Sequence, residues 1–571
     1  MKLTKLWWLL IMAPFLIAAV FYCSNQYPKG YYGSPLGIPI ELAANFGEVR
    51  TNHYHMGLDI RTNGKENLPV YAAADGFISR VTIEEGSFGK AVYITHPNGT
   101  MSVYGHLNRF MPALEDIVHA KQYKDERWEQ DIHFASSDLL VWKGMLIAYS
   151  GNTGASEGPH LHFEIRDVQT GNNFNPLVNG FALKDNIAPV IHGLYWYDAA
   201  KSIYQTEASP IALSNSGNSY RAIDGVTLVN TPNISFGVEA TDKNADTKYR
   251  LGIYSAKLFV DDELSFCFAL DSLNYNNTHY VNACVDYGKL FQQDKPIQLL
   301  RKLPGNKLPV FNGSVSNGIV LLKDNAVHNI TICFYDAAGN TATIQCKVKY
   351  EDLNDKKKNN KSYTKLLQPN KKNVVSTATA EAIFNADCFY DTVAFNMHEE
   401  QSSETNIASS LIYLHNASVP VHDSYTVKIK TNLSTNNPLK KQTVMLLTND
   451  KHSFVAKGDW DGDFMKASFD ELGTAQLVID TIAPDIQCRE GDNAHFTEND
   501  NALHVLYKDN LGSAVSFRGE IDGHWVLFEK KGDLFTYRFD EYCKPGRHKL
   551  IVTVADVAGN VTSRTFDFEK E

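Results

Sequence analysis

Short segments in which apolar and polar residues alternate recur along this chain of 571 residues. Residues 424–430 (Ser-Tyr-Thr-Val-Lys-Ile-Lys) and residues 161–165 (Leu-His-Phe-Glu-Ile) are two examples. Because successive side chains of a strand point to opposite faces, this period of two indicates strands with one buried face. The many tyrosines (28) and phenylalanines (30) favour strands further. The sequence therefore predicts an all-β-dominated fold. A chain of this length is too long for one hydrophobic core, so we expect about three to four domains.

The charge balance excludes one broad class of function. The formal net charge is −11, so the chain lacks the basic excess that a general nucleic-acid-binding protein needs. Apolar residues make up 43 % and charged residues 21 %, which is typical of globular proteins. We expect no nucleic acid among the partners.

The N-terminus has the pattern of a targeting segment. Lys2 and Lys5 precede an uncharged apolar run over residues 6–22. We interpret residues 1–30 as a signal peptide or a membrane anchor. Lipid attachment at Cys23 is an alternative, although the two residues before Cys23 are bulky aromatic ones. Each interpretation predicts an exported protein in the periplasm or cell envelope, with N-terminal membrane anchoring in two of the three cases.

Four short segments hold residue types that bind metals or transfer protons. They are residues 52–60 (Asn-His-Tyr-His-Met-Gly-Leu-Asp-Ile), 104–107 (Tyr-Gly-His-Leu), 150–154 (Ser-Gly-Asn-Thr-Gly) and 158–165 (Gly-Pro-His-Leu-His-Phe-Glu-Ile). In a strand, His160 and His162 project from the same face, about 7 Å apart at Cα. The apolar residues between and after them face the other way. Two imidazoles opposite a buried face are hard to explain as ordinary surface.

The segment around His55 supplies a second pair of candidate ligands. Gly57 lies between His55 and Asp59 and lets the chain bend so that both side chains can reach one ion. Two neutral imidazoles and one carboxylate suit Zn²⁺. Three protein ligands leave a fourth position for water, which is typical of a catalytic rather than a structural zinc site.

Together the four segments, with residues 45–47 (Asn-Phe-Gly), resemble the lysostaphin-type (LytM-like) zinc metalloendopeptidases over residues 31–180. The resemblance implies an antiparallel β-sheet peptidase domain that hydrolyses peptide cross-links of bacterial peptidoglycan. It implies one Zn²⁺ ion held by three ligands, His55, Asp59 and His162. It implies a catalytic pair, His106 and His160. His53 does not fit, because Gly57 and not a carboxylate lies four residues after it.

The implied mechanism leaves one assignment open. Zinc would polarise the scissile carbonyl and activate a water, and one imidazole of the catalytic pair would accept the proton while the other stabilises the oxyanion. The sequence does not say which ring does which. We expect the other polar residues nearby, Glu48, Arg50, Arg61 and Glu164, to be surface or supporting residues.

Two other functions remain as alternatives. The first is a non-catalytic protein that binds cell wall or activates another hydrolase, as some relatives that have lost ligands do. All five site positions are filled here, which favours retained chemistry. The second is an envelope adhesion or scaffold protein, which would explain the long C-terminal region but not the histidines.

The rest of the chain contains two repeated motifs. Residues 185–189 (Asp-Asn-Ile-Ala-Pro) resemble residues 480–484 (Asp-Thr-Ile-Ala-Pro), and residues 336–340 (Asp-Ala-Ala-Gly-Asn) resemble residues 556–560 (Asp-Val-Ala-Gly-Asn). We call them the opening motif and the closing turn. They resemble those of bacterial immunoglobulin-like β-sandwich modules, whose usual length is about 100 residues.

The predicted organisation follows from these patterns. The segments are residues 1–30 (targeting), 31–184 (zinc peptidase domain, with an inserted helical flap at 112–138), 185–350 (immunoglobulin-like region with an insertion or a second module), 351–374 (Lys/Asn-rich linker), 375–480 (β-sandwich) and 481–571 (immunoglobulin-like domain). The linker is either a solvated spacer or a basic patch for an anionic wall polymer. The flap lies next to His106 in sequence, so we hypothesise that it inhibits the site. Expected partners are peptidoglycan peptide stems and an envelope protein bound by the β-sandwich modules.

The cysteines do not form a zinc-binding pattern, because none falls in a Cys-x-x-Cys pair. Cys267 with Cys284 and Cys333 with Cys346 are candidate disulfides in an oxidising compartment. The alternative is that they are buried free thiols.

Overall fold

The computed structural model describes residues 28–244, 249–352, 362–402, 404–512 and 514–571. The predicted targeting signal falls almost wholly on residues 1–27, which lie outside the described residues. Within the described ranges, no helix combines the length and hydrophobicity needed to traverse a lipid bilayer.

The first unit, residues 28–184, is built on one antiparallel sheet. Its elements in chain order are β1 (Leu42–Ala44), β2 (Val49–Arg50), β3 (His53–Tyr54), β4 (Leu58–Arg61), β5 (Pro69–Tyr71), β6 (Gly76–Ile83), β7 (Lys90–Thr95), β8 (Thr100–Phe110), α1 (Pro112–Asp125), β9 (Gln130–His133), β10 (Leu140–Val141), β11 (Leu146–Ser150), β12 (His160–Asp167) and β13 (Asn173–Phe174). The main path of the sheet runs β1-β4-β12-β8-β7-β6-β10. Strand β12 therefore lies between β4 and β8, the strands that carry the other motif residues.

Strand β12 has the two faces that its alternation predicts. Leu161, Phe163 and Ile165 are fully buried in the core of the first unit. His160 and His162 lie on the other face. In the antiparallel register His162 is opposite Asp59 on β4 and opposite Gly105 on β8. Backbone pairing alone thus brings two distant motifs side by side.

The insertion at residues 112–138 is helical only in its first half. Helix α1 begins with Pro112, which suits a first helical turn, and ends at Asp125. Glu126 takes a left-handed conformation with φ 46°, which stops the helix. Strand β9 then pairs with β6 at the sheet edge. The prediction of a helical flap across the whole insertion is therefore wrong for its second half.

The second unit, residues 185–352, packs two sheets around one core. The five-stranded sheet contains Ser209–Ile211, Val190–Asp198, Asn233–Thr241, Ile297–Leu299 and Val320–Leu321. The seven-stranded sheet contains Leu213–Ser216, Ser219–Ala222, Thr341–Tyr350, His328–Tyr335, Ser255–Val260, Glu263–Ala269 and Thr227–Val229. Its helices are α2 (Tyr287–Gln293) and the 3₁₀ turns Ile203–Gln205 and Tyr275–Ala283.

The second unit is joined closely to the first. Its short strand Ser272–Leu273 pairs with β13 and so extends the sheet of the first unit. Three side chains of the first unit, Phe46, Tyr54 and Met56, belong to the core of the second unit and are at most 2 % exposed. We refer to these three as the shared core side chains.

The third unit, residues 362–480, contains two five-stranded sheets and a two-stranded one. Its strands are Lys365–Leu367, Asn373–Ser376, Ala380–Phe384, Val393–Phe395, Met397–Glu400, Leu411–Leu414, Tyr425–Lys430, Thr443–Thr448, Ser453–Ala456, Asp459–Asp461, Phe464–Phe469 and Gly473–Ile479, with a 3₁₀ turn at Pro438–Gln442. Lys365–Leu367 pairs with Val393–Phe395. The second half of the predicted linker thus belongs to this unit, whereas residues 353–361 lie outside the described residues.

The fourth unit, residues 481–571, has a four-stranded and a five-stranded sheet around its own core. Its strands are Asp485–Cys488, Ala494–Phe496, Ala502–Lys508, Ala514–Ile521, His524–Trp525, Phe528–Lys531, Leu534–Arg538, Gly546–Asp556 and Val561–Lys570. The prediction of a β-dominated chain with an antiparallel peptidase-type sheet, a helical insertion and β-rich C-terminal units is confirmed.

The candidate disulfides are absent, since all seven described cysteines are free thiols. Cys333 and Cys346 lie on neighbouring strands, but Cys333 is opposite Thr343 and points outward whereas Cys346 is buried. Cys267 is partly exposed, whereas Cys284 is fully buried. Each predicted pair therefore consists of one thiol facing the core and one facing away, which a disulfide cannot bridge.

Candidate active site

Three side chains of the first unit converge on one point. His55 Nε2 lies 3.0 Å from Asp59 Oδ1 and 3.1 Å from His162 Nδ1. Asp59 Oδ1 lies 2.9 Å from His162 Nδ1. The two nitrogens and the oxygen thus form a nearly equilateral triangle of ligand atoms. These are the three residues that the sequence predicts as metal ligands.

The second nitrogen of each imidazole is fixed by an acceptor. His55 Nδ1 lies 2.9 Å from the carbonyl oxygen of Asn45, and His162 Nε2 lies 2.9 Å from Glu164 Oε1. If each of these nitrogens carries the ring proton, the lone pairs of His55 Nε2 and His162 Nδ1 face the triangle. The acceptors therefore select the tautomers that a metal ion requires.

Gly57 is needed for close approach rather than for an unusual backbone angle. A Cβ atom at this position would lie 2.5 Å from the carbonyl oxygen of Phe163 and 2.9 Å from His162 Nε2. The absence of a side chain lets the loop before β4 press against β12. This contact brings His55 to the same site as His162.

His106 is held in a backbone conformation that is rare for residues other than glycine. Its φ is 58°, and strain of this kind is common at functional sites. Its Nδ1 lies 2.8 Å from the carbonyl oxygen of Thr153, in the glycine turn at residues 150–154. Gly154 in that turn has φ 69°, and a Cβ there would lie 2.3 Å from the backbone nitrogen of Gly89. The glycine turn therefore positions His106.

His160 lies beside His106, with ring centroids 4.7 Å apart. His160 Nδ1 is 2.8 Å from the carbonyl oxygen of Gly158, and His160 Nε2 is 3.4 Å from Asp59 Oδ1. The predicted catalytic pair is thus brought together next to the predicted ligands. His53, which fails the motif spacing, is exposed and its Nδ1 contacts the carbonyl oxygen of Thr51.

The pKa values of these groups are shifted in different directions by their surroundings. Burial disfavours the charge on Asp59, but His55 and the hydrogen bonds from His160 and His162 outweigh it and hold the pKa of Asp59 well below its usual range. Burial, together with His162 and His160, lowers the pKa of His106 to about 3. Burial opposes the charged form of His162, yet Asp59 and Glu164 raise the pKa of His162 to about 9.

Comparison with protein families identifies two parts of the chain. A model of peptidase family M23 matches residues 53–123, which include His55, Asp59 and His106 but end before β12. A model of the Zu5-like domain matches residues 364–480, which lie in the third unit.

Two curated bacterial proteins each match about a quarter of the chain. An uncharacterized metalloprotease of Haemophilus influenzae is 34 % identical over 155 residues, which are 26 % of this chain and 27 % of that protein. The DD-carboxypeptidase/endopeptidase Mpg of Neisseria meningitidis is 29 % identical over 152 residues, 27 % of this chain and 26 % of that protein. The chain thus spans about a quarter of the length of these relatives. Its first unit belongs to peptidase family M23.

A solved structure of the M23 family has also been matched. The catalytic domain of the prophage-encoded M23 protein EnpA from Enterococcus faecalis is 22 % identical, with a TM-score of 0.20, and covers 26 % of this chain and 96 % of that one. The family model and the curated relatives confirm the resemblance of the sequence to lysostaphin-type peptidases at the level of the family.

The M23 unit contains a supporting residue whose role the sequence did not reveal. Glu164 has a fully buried side chain, so of the two positions that we expected, surface or supporting, it takes the supporting one. It accepts hydrogen bonds from Arg166 Nε at 2.6 Å and from Tyr275 Oη at 2.5 Å, besides its contact with His162. Burial raises the pKa of Glu164, but Arg166 and His162 outweigh this and lower it to about 2. Position 164 continues the strand alternation of 160 and 162, a signal that could have identified it.

The M23 site opens into a cleft of about 880 Å³. Residues of the first unit form most of its lining, and three residues of the second unit, Tyr249, Arg250 and Tyr275, complete it. The insertion at residues 112–138 is not part of this lining. Helix α1 instead faces the fourth unit, where Tyr123 stacks on Tyr542 with centroids 3.8 Å apart and donates a hydrogen bond to Asp540. The contacts give no support to the hypothesis that the insertion inhibits the site by covering it.

Proposed function

We propose that the first unit is a zinc-dependent endopeptidase that hydrolyses peptide cross-links of bacterial peptidoglycan in the cell envelope. The observation that carries this proposal is the convergence of His55 Nε2, Asp59 Oδ1 and His162 Nδ1 to within 3.1 Å of one another. Membership of a peptidase family and the endopeptidase name of the neisserial relative support it.

The residues fit zinc by the chemistry of their donor atoms. Two imidazole nitrogens and one carboxylate oxygen are a common zinc ligand set, and three protein ligands leave room for reactants. In the neutral rings, the hydrogen bonds from His55 to Asn45 and from His162 to Glu164 hold the ring proton on the nitrogen that faces away from the ligand triangle. Zn²⁺ held there would supply Lewis acidity to the scissile carbonyl and to the attacking water.

The chain's own catalytic groups are His106 and His160. The carbonyl groups of Thr153 and Gly158 accept the Nδ1 protons of these two rings. This leaves His106 Nε2 to exchange a proton, whereas His160 Nε2 lies 3.4 Å from Asp59 Oδ1. Because burial lowers the pKa of His106, this ring is neutral at pH 7, which is the form that a general base requires. We assign proton transfer to this pair and leave the division between base and oxyanion donor to the pH profile of each variant.

The cleft suits a peptide that carries carboxylates. Arg50 and Arg250 line it, and Arg50 Nη2 lies 3.0 Å from Glu48 and 3.7 Å from Asp59 Oδ2. Arg50 is thus already paired, and of these two cations Arg250 would attract a free carboxylate of a peptidoglycan peptide stem. A location in the periplasm or envelope, reached through the signal or anchor predicted in residues 1–30, would give access to this substrate.

Digestion of defined muropeptides by the zinc-loaded full chain tests the proposal. We expect cleavage products in mass spectra, and their loss when a chelator is added. His106→Ala should lower the rate about 10²- to 10⁴-fold while zinc remains bound, whereas His162→Ala should lose both activity and zinc. His133→Ala, on the exposed edge strand β9, is the control and should keep both. Wall binding without any cleavage would instead support the non-catalytic alternative.

For the C-terminal units we propose immunoglobulin-like modules at residues 185–350 and 481–571 that bind an envelope partner. Their repeated opening and closing motifs support this assignment. Retention of the full chain on purified sacculi after the active-site cleft is blocked by a peptide-stem analogue would favour wall binding through these units. Retention that disappears with the analogue would contradict it.

A further inference from the structure

The opening motif and the closing turn each contribute an aspartate to a cluster that the peptidase activity does not use. In each cluster a third aspartate from a loop joins them. One carboxylate oxygen from each of the three residues lies within 4.8 Å of the others. The first aspartate triad is Asp185, Asp242 and Asp336, and the second aspartate triad is Asp480, Asp509 and Asp556.

The first aspartate triad contains an oxygen that nothing in the described chain satisfies. Asp242 is only 3 % exposed, and its Oδ1 is closed off from solvent with no hydrogen-bond partner among the described residues. The other two members are partly satisfied: Asp185 Oδ1 accepts from the amide of Ile187, and Asp336 Oδ1 accepts from the amide of Asn340. Asp185 and Asp242 line the same narrow cavity. A buried carboxylate oxygen without a donor needs a cation or a proton.

The second aspartate triad repeats this arrangement in a separate unit. Asp480 Oδ1 accepts from the amide of Ile482 at 3.1 Å, and Asp556 Oδ1 accepts from the amide of Asn560 at 2.8 Å. Again the loop aspartate holds the unsatisfied oxygen. The Asp509 side chain is partly exposed, but its Oδ1 is shielded from solvent and lacks a partner in the described ranges. The same atom is therefore unsatisfied in both places, which argues against an accident of one loop.

In the part of the chain that the structure describes, a lysine lies near each triad but neither lysine forms an ion pair with it. Lys29 lines the cavity at the first triad. None of the six aspartates forms an ion pair with a described lysine or arginine. Lys457 lies near the second triad, but its Nζ is directed to the carbonyl oxygen of Ala558 at 2.8 Å. Three carboxylates this close repel one another unless a cation lies between them.

We propose that each aspartate triad binds one Ca²⁺ ion. Calcium prefers six to eight oxygen ligands in a flexible geometry, and carboxylates with neighbouring carbonyl groups and water supply them. Zinc is disfavoured because no imidazole or thiolate takes part. Magnesium demands a small, nearly octahedral shell and gives up its water reluctantly, so irregular loops suit it less.

The position of each triad indicates what bound calcium would do. The cavity at the first triad is also lined by Leu42 and Asn45 of the first unit. At the second triad, Asn560 binds the backbone oxygen of Asp480 at 3.0 Å, and its Oδ1 accepts from Gln442 of the third unit at 2.6 Å. Both ions would therefore lie at junctions, and each would fasten a unit to the one before it.

Calcium titration of the zinc-loaded full chain, dialysed into calcium-free buffer, tests the proposal. Isothermal titration with CaCl₂ should give two equivalents per chain, in line with the two triads. The melting temperature should rise with calcium. MgCl₂ at the same millimolar concentration should give a smaller rise. The absence of saturable binding would overturn the proposal, and an equal effect of magnesium would overturn the choice of calcium.

Matched variants locate the sites. Asp242→Asn and Asp509→Asn should each leave one equivalent, and the double variant should leave none. The site that remains in each single variant reports that the protein is folded. Because Asn removes a repelling charge, each variant should also melt at a higher temperature than the wild type without calcium. Asp262→Asn, at an exposed turn with φ 68°, is the control and should keep both sites. Two equivalents in the double variant would refute the assignment.

Discussion

Replacement of Glu164 by Gln tests how the predicted ligand His162 is supported. The substitution keeps the size of the side chain but removes its charge. The wild-type carboxylate is fully buried and contacts three groups, His162 Nε2 at 2.9 Å, Arg166 Nε at 2.6 Å and Tyr275 Oη at 2.5 Å. A neutral amide in its place would leave the Arg166 guanidinium, whose side chain is 17 % exposed, without its counter-charge.

The expected loss of stability can be obtained in two ways. Removing one partner of a buried ion pair costs about 3–5 kcal/mol, because the other charge stays behind. The pKa of Glu164 is lowered from 4.5 to about 2, which corresponds to about 3 kcal/mol. The sign is that of a depressed carboxyl: the contribution is fully present above pH 4.5 and is lost as the pH falls toward 2. A glutamine side chain lacks the carboxyl and so lacks this contribution at every pH.

The effect on metal binding should be separate from the effect on stability. A carboxylate behind a ligand histidine fixes the ring and raises its basicity, and its loss lowers metal affinity about 10- to 100-fold. We would measure zinc affinity by competition with a chromophoric chelator and unfolding by urea, with Glu66→Gln, an exposed residue, as the control. An E164Q protein with wild-type zinc affinity and wild-type unfolding free energy would refute the role assigned to Glu164.

Three further predictions concern the same unit. Because the pKa of His162 is about 9 in the metal-free chain, zinc must displace a proton, so zinc affinity should fall about tenfold per pH unit below 9; a flat profile between pH 6 and 8 would contradict this. Gly57→Ala should destabilise the chain by about 1–3 kcal/mol in urea unfolding and weaken zinc binding, because its Cβ would lie 2.5 Å from the carbonyl oxygen of Phe163. A fragment of residues 1–184 should aggregate or bind a hydrophobic dye, because the shared core side chains are buried only against the second unit. Burial of each such side chain contributes about 1.5–3 kcal/mol. A cooperative melt of a monomeric fragment would refute this.

Much of the fold follows from local signals in the sequence. The alternation at residues 424–430 corresponds to the strand Tyr425–Lys430. Asn98-Gly99, a dipeptide typical of tight hairpin turns, lies between β7 and β8, where Gly99 has φ 83°. Local signals wrongly predict a helix for the second half of the insertion, because its charged residues do not alternate with apolar ones as strand residues do. They form β9 only because the edge of β6 offers backbone partners. Pairing with an existing edge is a tertiary effect that local periodicity does not contain.

The candidate site likewise has a part that the sequence predicts and a part that it does not. The resemblance to lysostaphin-type peptidases predicts the ligand set His55, Asp59 and His162, and the strand register of the structure brings their segments side by side. Tyr275 could not be predicted. It lies 111 residues beyond Glu164 in the chain and reaches it only because Ser272–Leu273 adds to the sheet through β13. Contacts between units leave no periodic signal in either segment.

The C-terminal units, which the peptidase motif does not explain, contact segments that hold the candidate site. The second unit reaches the predicted ligand set through Tyr275 and Glu164. The fourth unit reaches the predicted catalytic pair through Lys531, whose Nζ donates to the carbonyl oxygen of Asn152 in the glycine turn that holds His106. Lys90 and Glu529 form a further bridge at 2.7 Å, beside the same turn. These contacts join the fourth unit to the segments that hold His106. The C-terminal units are therefore placed to influence the geometry of the site, and a cation that fixes their junctions would act on the same contacts.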